Sequence, residues 1–577
     1  QWGSITPGHP ERTPEIHTPG VETTTGPLGQ GFGNGVGMAI AEQFLRRKYG
    51  QEVVNHRVFG IVSDGDLMEG ISSEAASLAG HLGLGKITYL YDDNSITIDG
   101  KTDISFTEDV GARFEAYGWH VETVKDVNDL VELSAAIERA SADESRPSLI
   151  RVRTVIAYPS PNKQGTSGSH GAPLGDEEIR LTKEALGMDP DVKFAVPDDA
   201  VQAFAQTRER GAADQRVWRE NFERWRAADP ALAKQWDHAE RGEFEPGLAA
   251  DLPRFDPAET ESIATRSAGG KALQAVAAHA PTLLGGSADL AGSVKSGLDG
   301  LGDFSATENG RNLHFGVREH AMGAAVNGLA LHGGIVRPFG STFLIFSDYM
   351  RGSIRLSALM RLNVTWVFSH DSLGVGEDGP THQPIEQLAS LRAIPGLTVL
   401  RPGDGAETSE AWRVIAEELD GPAAIALSRQ NLTVLDRTET QAPAPGEFAD
   451  ATGVGKGAYT LIESKGPIQA VLVATGSEVD VALAARELLE AEGVAVRVVS
   501  MPSWELFEAQ GSEYKQQVLP AELPKVSIEA GIEQGWSRFV DDSVSIERYG
   551  ASAPGATVLT NLGITPEAAA TKIRALL

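Results

Sequence analysis

The sequence predicts an α/β protein with mainly parallel sheets flanked by helices, because short β-rich runs alternate with helical patterns. Its 577 residues are 41% hydrophobic and 23% charged, as in ordinary globular domains. Cysteine is absent, which excludes disulfides, thiolate nucleophiles and cysteine-bound metals and suits a reducing cytoplasm, where we expect the protein. The net charge of −30 opposes binding to nucleic acid or anionic membranes. No apolar run approaches the ~18 residues of a membrane span.

The αβ pattern predicts three domains, at residues 1–256, 257–439 and 440–577. β-rich runs in the first occupy residues 58–63, 87–91 and 149–156, and helical patterns occupy residues 39–48 and 70–82. A charged helical connection begins near residue 176 and includes Trp218, Phe222 and Trp225 at helical spacing. The second domain has runs at 282–284, 364–369, 398–400 and 423–427. The third has runs at 470–474, 494–500 and 525–528, with a helix at 478–492.

A glycine-rich segment precedes the first predicted helix, with six glycines between residues 26 and 37. Glycine lets the backbone approach a ligand or another helix without a Cβ atom in the way. From the residues alone, a segment that contacts a ligand and a tight turn with close helix packing are equally favoured.

Polar side chains follow two neighbouring predicted strands. Residues 58–63 continue into Asp64-Gly65-Asp66, and the next strand ends in Asp92-Asp93-Asn94. Oxygens at the carboxyl ends of parallel strands can converge on Mg²⁺, while the helix expected to open near Glu69 directs its N–H groups at a phosphate. The sequence therefore predicts a metal and phosphate site, with a solvated turn as the alternative. An EF-hand is excluded because its ligand alternation is missing.

Three motifs resemble those of transketolases: Gly-His-Pro-Glu at residues 8–11, GVETTTGPLGQG at residues 20–31, and Asp64-Gly65 with Asp93-Asn94. The second is highly specific to that family, and the resemblance covers the whole chain. It implies a thiamine diphosphate enzyme that reversibly transfers a two-carbon ketol unit. The donor would be a ketose phosphate such as xylulose 5-phosphate, and the acceptor an aldose phosphate such as ribose 5-phosphate or erythrose 4-phosphate. The family serves the pentose phosphate pathway and the Calvin cycle as homodimers with active sites at the subunit interface.

The resemblance also implies the cofactor contacts. Mg²⁺, with Ca²⁺ as a possible substitute, would be held by Asp64, Asn94 and the backbone carbonyl of Ile96, with Gly65 beside the diphosphate. The family usually has glycine at the position of Ser63. The further implied cofactor residues are Gly26, Pro27, Leu28, Glu69, His170, Asp289, Glu319, Phe343, Phe346 and Tyr349.

Glu319 begins an Ala- and Gly-rich helical segment. An acidic residue at a helix start commonly does no more than interact favourably with the helix dipole. The resemblance assigns it to N1′ of the aminopyrimidine as the proton donor, with Glu69 as the neighbour that would raise its pKa. Phe343, Phe346 and Tyr349 have spacing i, i+3, i+6. This pattern more often reflects core packing than a cofactor pocket. The resemblance implies that they enclose the aminopyrimidine.

An acidic chain that binds sugar phosphates must concentrate positive charge locally. The residues that match the family's phosphate-binding set are Arg266, Ser293, His370 and Arg429. In the motif GVGEDGPTHQP at residues 374–384, Asp378 would bind a donor hydroxyl and His382 would lie near donor and cofactor. His9 and His170 match two channel histidines that, with His382 and Glu319, would manage protons. His17 is a rival to His9.

Two alternatives remain open at this point. One is a dihydroxyacetone synthase, which uses formaldehyde as acceptor, although the four phosphate-binding positions favour aldose phosphates. The other is a non-catalytic or impaired chain, because the sequence starts at Gln1 and two family Gly-His motifs expected upstream are absent. We therefore expect that this sequence starts within a longer chain.

Overall fold

The computed structural model describes residues 9–577 and divides the chain into two compact units. The first unit comprises Thr25–Asp237 with Ser305–Asn309, and the second comprises the residues up to Thr24, His238–Phe304 and Gly310–Leu577. Gly8 of the Gly-His-Pro-Glu motif lies outside the described residues. Among residues 9–577, no helix combines the length and apolarity that a membrane crossing requires. The three-domain division stays a prediction.

The first unit is built on one four-stranded parallel sheet, in the order β1-β2-β4-β3. Its strands are β1 (Val58–Ser63), β2 (Ile87–Asp93), β3 (His120–Val124) and β4 (Ser148–Arg153). Its helices are α1 (Gln30–Tyr49), α2 (Asp64–Met68), α3 (Gly70–His81), α4 (Val110–Ala116), α5 (Leu130–Ala142), α6 (Asp176–Ala185) and α7 (Asp198–Ala228), followed by α8 (Pro230–Glu240).

Tyr89 of β2 fixes how α1 packs on this sheet. Its ring is 2% exposed, and its hydroxyl donates to the Phe32 carbonyl at 2.5 Å. A Cβ atom on Gly35 would lie 2.2 Å from the Tyr89 hydroxyl, and one on Gly60 would lie 2.6 Å from the ring. Gly35 of α1 and Gly60 of β1 therefore make room for an aromatic ring in the core.

An aromatic cluster anchors the long helix α7, as the helical spacing predicts. Trp218 and Phe222 stack with ring centroids 4.9 Å apart, and Phe222 and Trp225 stack at 5.5 Å. The Trp218 indole N–H donates to the Val53 carbonyl at 2.8 Å. The connection thus packs against the first unit through aromatic burial.

The second unit holds two larger sheets. The six-stranded sheet is parallel throughout, in the order β10-β11-β9-β8-β6-β7, while the five-stranded sheet β13-β15-β14-β16-β17 has only β13 antiparallel. Strands β5 and β12 form an antiparallel pair. The strands are β5 (Ser262–Ala264), β6 (Leu283–Ser287), β7 (Asn312–His314), β8 (Arg337–Phe343), β9 (Thr365–Ser369), β10 (Thr398–Leu400), β11 (Ala423–Leu427), β12 (Asn431–Thr433), β13 (Tyr459–Ile462), β14 (Ala470–Ala474), β15 (Val496–Ser500), β16 (Lys525–Ile528) and β17 (Asp542–Val544).

Helices flank both sheets, and one apolar core continues from the first sheet to the second. The helices are α9 (Leu248–Asp251), α10 (Thr265–His279), α11 (Ala291–Val294), α12 (Glu319–Leu331), α13 (Ser347–Leu359), α14 (Gln387–Arg392), α15 (Gly405–Glu417), α16 (Glu478–Ala491), α17 (Trp504–Glu508), α18 (Ser512–Val518), α19 (Gly555–Asn561) and α20 (Pro566–Leu576).

A buried ion network joins the two sheets of the second unit. Arg401, which follows β10 and is 0% exposed, donates to Asp371 at 2.9 Å and contacts Glu478. Glu529 accepts two bonds from Arg392 at 2.7 and 2.8 Å. Burial opposes ionisation of Glu529, but the two arginines hold its pKa at about 2. These charges compensate one another inside the protein.

Most predicted strands form as expected, and the fold class is confirmed. The run at residues 149–156 ends earlier, at Arg153, and the run at 282–284 extends to Ser287. The segment after β1 differs most, because Asp64–Met68 forms a separate short helix before the one that begins at Gly70.

Candidate active site

The candidate site of the first unit is the turn at the carboxyl end of β1. Ser63 caps α2: its hydroxyl accepts from the Asp66 backbone N–H at 3.3 Å, and the Asp66 carboxylate accepts from the Ser63 N–H at 2.9 Å. The same carboxylate accepts from the Gly29 N–H at 2.9 Å. Ser63 has φ −110°, so the backbone does not need glycine here. The capping box therefore ties this turn to the glycine-rich segment.

The glycine-rich segment lies directly against this turn. Gly29 has φ +76°, and a Cβ atom there would lie 2.5 Å from the Ile71 side chain and 3.0 Å from Cβ of Glu69. A Cβ on Gly65 would lie 2.9 Å from the side chain of Leu28. Since both glycines allow close approach, the predicted residues Gly26, Pro27 and Leu28 belong to a loop next to Gly65.

Asp64 and Asn94 are organised by one turn at the ends of β1 and β2. The Asp64 carboxylate, 3% exposed, accepts from the Tyr91 hydroxyl and from the Ser95 N–H, the latter at 3.1 Å. The Asn94 side-chain oxygen accepts from the Ile96 N–H at 2.9 Å. Ser95 has φ +60°, a left-handed conformation that folds the turn back toward Asp64.

These donors fit a hard cation. The predicted ligands are one carboxylate, one amide and one carbonyl. In residues 9–577 no cluster of three or more His, Cys, Asp or Glu side chains is arranged to hold a metal. Mg²⁺ accepts so few protein oxygens because water and phosphate complete its octahedron. Burial raises the pKa of Asp64, and a cation at this carboxylate would favour the charged form.

A cleft of about 1380 Å³ opens over this turn. It brings together many of the predicted first-unit residues, and its wall is largely apolar. The predicted residues that line it are Leu28, Asp64, Gly65, Glu69, Asn94, Ile96 and His170. Ligands of open parallel sheets bind at this edge.

A second candidate site, within the second unit, lies at the carboxyl ends of strands in the six-stranded sheet. Asp289 follows β6, Phe343 ends β8, and His370 follows β9. Asp289 and His370 have positive φ angles of 62° and 60°, which bend the chain sharply after each strand. Arg429 follows β11, so residues from distant segments share this edge.

The two predicted phosphate-binding arginines are fastened together by their neighbours. Ser428 and Thr265 exchange hydrogen bonds: the Ser428 N–H donates to the Thr265 hydroxyl at 2.7 Å, and the Thr265 N–H donates to the Ser428 hydroxyl at 3.1 Å. Arg266 donates to the Ser293 carbonyl at 2.7 Å. Burial and the charge of Arg429 lower the pKa of Arg266, so a phosphate anion would relieve this repulsion.

His370 is a neutral member of the set. It is 3% exposed and its Nδ1 lies 2.8 Å from the Ser369 hydroxyl. Burial lowers its pKa to about 3, assisted by the charges of Arg266, Arg429 and His382. The positive charge at this edge therefore comes from the arginines, while His370 offers hydrogen bonds.

The aromatic residues form a stack rather than a stripe on one helix. Phe343 ends β8, Phe346 lies in a short turn and Tyr349 lies in α13. Phe343 and Phe346 stack at 5.9 Å, and Phe343 stacks on His370 at 3.7 Å. His382 meets Phe346 edge-on at 5.6 Å. Tyr349 remains 66% exposed, so the stack has an open end.

Glu319 occupies the first turn of α12 and is 8% exposed. The Thr342 hydroxyl donates to its Oε1 at 3.4 Å. The helix N-terminus favours a negative charge at this position.

The remaining predicted residues are more exposed. Asp378 is exposed on the loop that carries His382, and His382 Nδ1 lies 2.9 Å from the Thr381 hydroxyl. His9 and His17 both belong to the second unit and are exposed, His9 beside Glu11 at 3.1 Å and His17 beside the Val21 carbonyl at 3.2 Å. The choice between them remains open.

The sequence patterns did not predict the residues that hold the candidate site residues in place. Tyr91 and Ser95 hold Asp64, and Thr265 and Ser428 hold the arginine pair. Only the Ser63/Asp66 capping box has a local signal, a hydroxyl residue three positions before an acid. The others depend on contacts between distant segments.

Three family models match consecutive parts of the chain. A transketolase thiamine diphosphate binding domain matches residues 1–245, a transketolase pyrimidine binding domain matches residues 261–434, and a transketolase-like C-terminal domain matches residues 457–565.

Individual relatives agree along the full chain. The transketolase of Halalkalibacterium halodurans is 51% identical over 585 residues, which cover 100% of this chain and 86% of the relative. The Bacillus subtilis transketolase is 49% identical with the same coverage. The solved transketolase of Leishmania mexicana is 43% identical with a TM-score of 0.94, covering 100% of this chain and 84% of that one.

The parallel-sheet fold, the glycine-rich segment and the family-model matches define a thiamine diphosphate-dependent transferase. Within that class, the chain belongs to the transketolase family. Its reaction is the reversible transfer of a two-carbon ketol unit between sugar phosphates.

Proposed function

We propose that the turn formed by Asp64, Asn94 and the Ile96 carbonyl binds Mg²⁺, with Gly65 beside the diphosphate of thiamine diphosphate. The support is the shared hydrogen bonding of Asp64 and Asn94 within residues 94–96 and the glycine-rich loop packed over Gly65. When bound, thiamine diphosphate supplies the nucleophilic carbon and the electron sink. The chain contributes oxygen ligands, the start of α3 and a shaped cleft.

Glu319 carries the proton at N1′ of the aminopyrimidine, and Phe343, Phe346 and Tyr349 enclose that ring. The position of Glu319 in the first turn of α12 and its low exposure support this role. The stacked Phe343 and Phe346 rings support the second assignment. Glu69 would face Glu319 in the assembled site, where a neighbouring carboxylate favours the protonated form.

Sugar phosphates bind at the carboxyl edge of the six-stranded sheet. Arg266 and Arg429 hold the phosphate, assisted by Ser293 and His370, because guanidinium groups match phosphate oxygens. Asp378 binds a donor hydroxyl, while His9, His170 and His382 exchange protons with substrate oxygens. A Pichia stipitis transketolase, 39% identical and covered to 84% with a TM-score of 0.94, was solved as a complex with sedoheptulose 7-phosphate, which supports phosphorylated sugars as substrates.

The observation that carries this proposal is the hydrogen bonding between Thr265 and Ser428, which brings the next residues, Arg266 and Arg429, close together. Two adjacent cations need an anion, and an aldose phosphate acceptor provides one. Turnover with ribose 5-phosphate should therefore far exceed turnover with formaldehyde. The reverse order would identify a dihydroxyacetone synthase and contradict the proposal.

The assignment of Glu319 is tested by Glu319→Ala. We expect turnover of xylulose 5-phosphate and ribose 5-phosphate to fall by about 10²- to 10⁴-fold. Glu567→Ala is the matched control, because Glu567 also occupies the first turn of a helix, α20, but is exposed. Near-normal turnover of Glu319→Ala would remove Glu319 from the mechanism.

A homodimer completes the site, with Glu319 of one chain serving the Asp64 turn of another. The large exposed side chains of Val317 (76%) and Tyr349 (66%) near Glu319 support an interface there. Mixing inactive Asp64→Asn and Glu319→Ala proteins would create hybrids with one intact site, giving about a quarter of full activity after random exchange. Sites contained in single chains would give no recovery.

A further inference from the structure

The loop at residues 376–382 carries two proposed substrate residues but contains no helix or strand. It consists of two consecutive turns, in which the Gly379 N–H donates to the Gly376 carbonyl at 3.1 Å and the His382 N–H donates to the Gly379 carbonyl at 3.0 Å. Gly376 and Gly379 have φ angles of +87° and +74°. Asp378 is exposed at the tip, so its direction depends on how the backbone of this loop is held.

The holding contacts come from a segment after β17, at residues 550–555. The Gln383 side-chain amide, 1% exposed, donates to the Gly376 carbonyl at 2.9 Å and to the Ala551 carbonyl at 3.0 Å. The Ser552 hydroxyl donates to the Glu377 carbonyl at 2.5 Å. Both N–H bonds of one carboxamide are therefore used to join the loop to this segment.

The packing around Gln383 leaves little freedom. A Cβ atom on Gly550 would lie 1.9 Å from Oε1 of Gln383, and one on Gly555 would lie 2.7 Å from the Gly374 carbonyl. On the opposite side, Gln430 lies against Gly374, where an added Cβ would be 2.4 Å from its amide. Gln430 and Gly555 thus pack against Gly374, just before the loop, while residues 552–555 contact the loop itself.

We propose that Gln383 is a positioning residue for substrate recognition, which acts by fixing the loop so that Asp378 meets the donor hydroxyl. The inference rests on the proposed role of Asp378 and extends it to the C-terminal part of the chain. Residues 550–555 then contribute to donor selectivity without touching the substrate.

The test is Gln383→Glu, which keeps the size of the side chain but replaces the two-bond donor with a carboxylate facing two carbonyl oxygens. Steady-state kinetics would use two donors, xylulose 5-phosphate and 3-hydroxypyruvate. The second releases carbon dioxide instead of an aldose phosphate and lacks the hydroxyl assigned to Asp378. Gln510→Glu is the matched control, because the Gln510 amide donates to the Leu506 carbonyl at 2.9 Å away from this loop.

We expect Gln383→Glu to lower kcat/KM for xylulose 5-phosphate by at least about tenfold and for 3-hydroxypyruvate by less than about threefold, the size of one lost oriented contact. Combined with Asp378→Ala, it should add little to the loss of Asp378→Ala alone, since both act through one contact. Thiamine diphosphate affinity should stay within about twofold.

Equal losses with both donors, or fully additive losses in the double variant, would overturn the proposal. If Gln383→Glu fails to fold, Ser552→Ala removes one holding bond at the surface, and we expect a smaller loss confined to xylulose 5-phosphate. An unchanged donor ratio there would also overturn it. Asp378→Ala alone separates the two ideas, because unchanged donor kinetics in that variant would refute the role of Asp378 itself.

Discussion

Two clusters of buried charge lie at carboxyl ends of parallel strands, yet they are built differently. In the second unit, Arg401 and Arg392 face Asp371, Glu478 and Glu529, so each charge meets an opposite charge of the same chain. In the first unit, Asp64 accepts hydrogen bonds from Tyr91 and Ser95, the nearby charges of Asp93 and Asp92 oppose its ionisation, and Arg153 pairs with Asp93.

The difference shows what separates a structural charge cluster from a ligand site. Opposite charges that compensate each other leave no requirement for a ligand. Among the described residues Asp64 is held by hydrogen bonds rather than by an ion pair, so its carboxylate can also serve as a ligand for a cation. Variants of the two clusters should therefore affect different properties, one stability and the other cofactor affinity.

Arg401→Met gives the largest expected effect on the structural side. Removing the guanidinium leaves Asp371 and Glu478 buried without their partner, so the free energy of unfolding should fall by about 3–5 kcal/mol. Denaturant unfolding measures this loss. Arg574→Met, which breaks the exposed pair with Glu492, is the control and should change the free energy of unfolding far less, because solvent screens exposed ion pairs. A similar small loss for Arg401→Met would mean that the network is not structural.

Asp64→Asn should produce the opposite result. In the presence of Mg²⁺, the Kd for thiamine diphosphate should rise about 100-fold, equivalent to about 2.7 kcal/mol, while unfolding changes by about 1 kcal/mol or less. Calorimetric titration and denaturant unfolding measure the two effects, with the exposed Asp103→Asn as control. Chelation of Mg²⁺ from the wild-type protein should cause a comparable loss of affinity. A cofactor affinity that is unchanged both by Asp64→Asn and by chelation of Mg²⁺ would contradict a metal site at Asp64.

His370→Gln sharpens the comparison, because His370 precedes Asp371 but is kept neutral. Its folded pKa of about 3 lies below the unfolded value of 6.5, so the unfolded chain binds more protons below pH 6.5 and the stability falls as the pH is lowered. The variant should lose less stability between pH 6.5 and pH 5, by roughly 1 kcal/mol per pH unit. Unfolding at several pH values measures this, with the exposed His81→Gln as control. Parallel curves for wild type and His370→Gln would contradict the buried neutral state.

Ser63→Ala has the smallest expected effect. It removes the cap of α2 and should cost about 1 kcal/mol of unfolding free energy, whereas Ser63→Gly should cost only a few tenths. Both remain compatible with cofactor binding, because Ser63 supports the turn through Asp66 rather than through the ligand. A loss of cofactor affinity larger than the loss of stability would assign Ser63 to the binding site itself.

Local patterns predicted several strands correctly, with their bounds. Val58–Ser63, Thr398–Leu400, Ala423–Leu427, Ala470–Ala474 and Lys525–Ile528 form as strands with the expected bounds. These runs are apolar and end at turn residues, so burial and chain reversal act together. The placement of Asp64 and Asn94 at two adjacent strand ends followed from that pattern alone.

Features that depend on distant contacts could not be predicted. The helix at Asp64–Met68 forms because Ser63 and Asp66 cap each other, and the aromatic residues bend over the end of β8 instead of following one helix. The neutral state of His370 depends on Arg266 and Arg429, which come from other segments. No local sequence pattern predicts the contact between Gln383 and Ala551.

The ring of Tyr89 between Gly35 and Gly60 places a shared limit on how these three positions can vary during evolution. Alanine at Gly35 would collide with the hydroxyl, whereas alanine at Gly60 would collide with the ring edge. Phenylalanine at position 89 could therefore accompany a change at Gly35, but a change at Gly60 would need a smaller side chain such as leucine. Sequences that diverge here should do so in these combinations, and libraries that vary one position alone should recover mainly glycine at 35 and 60.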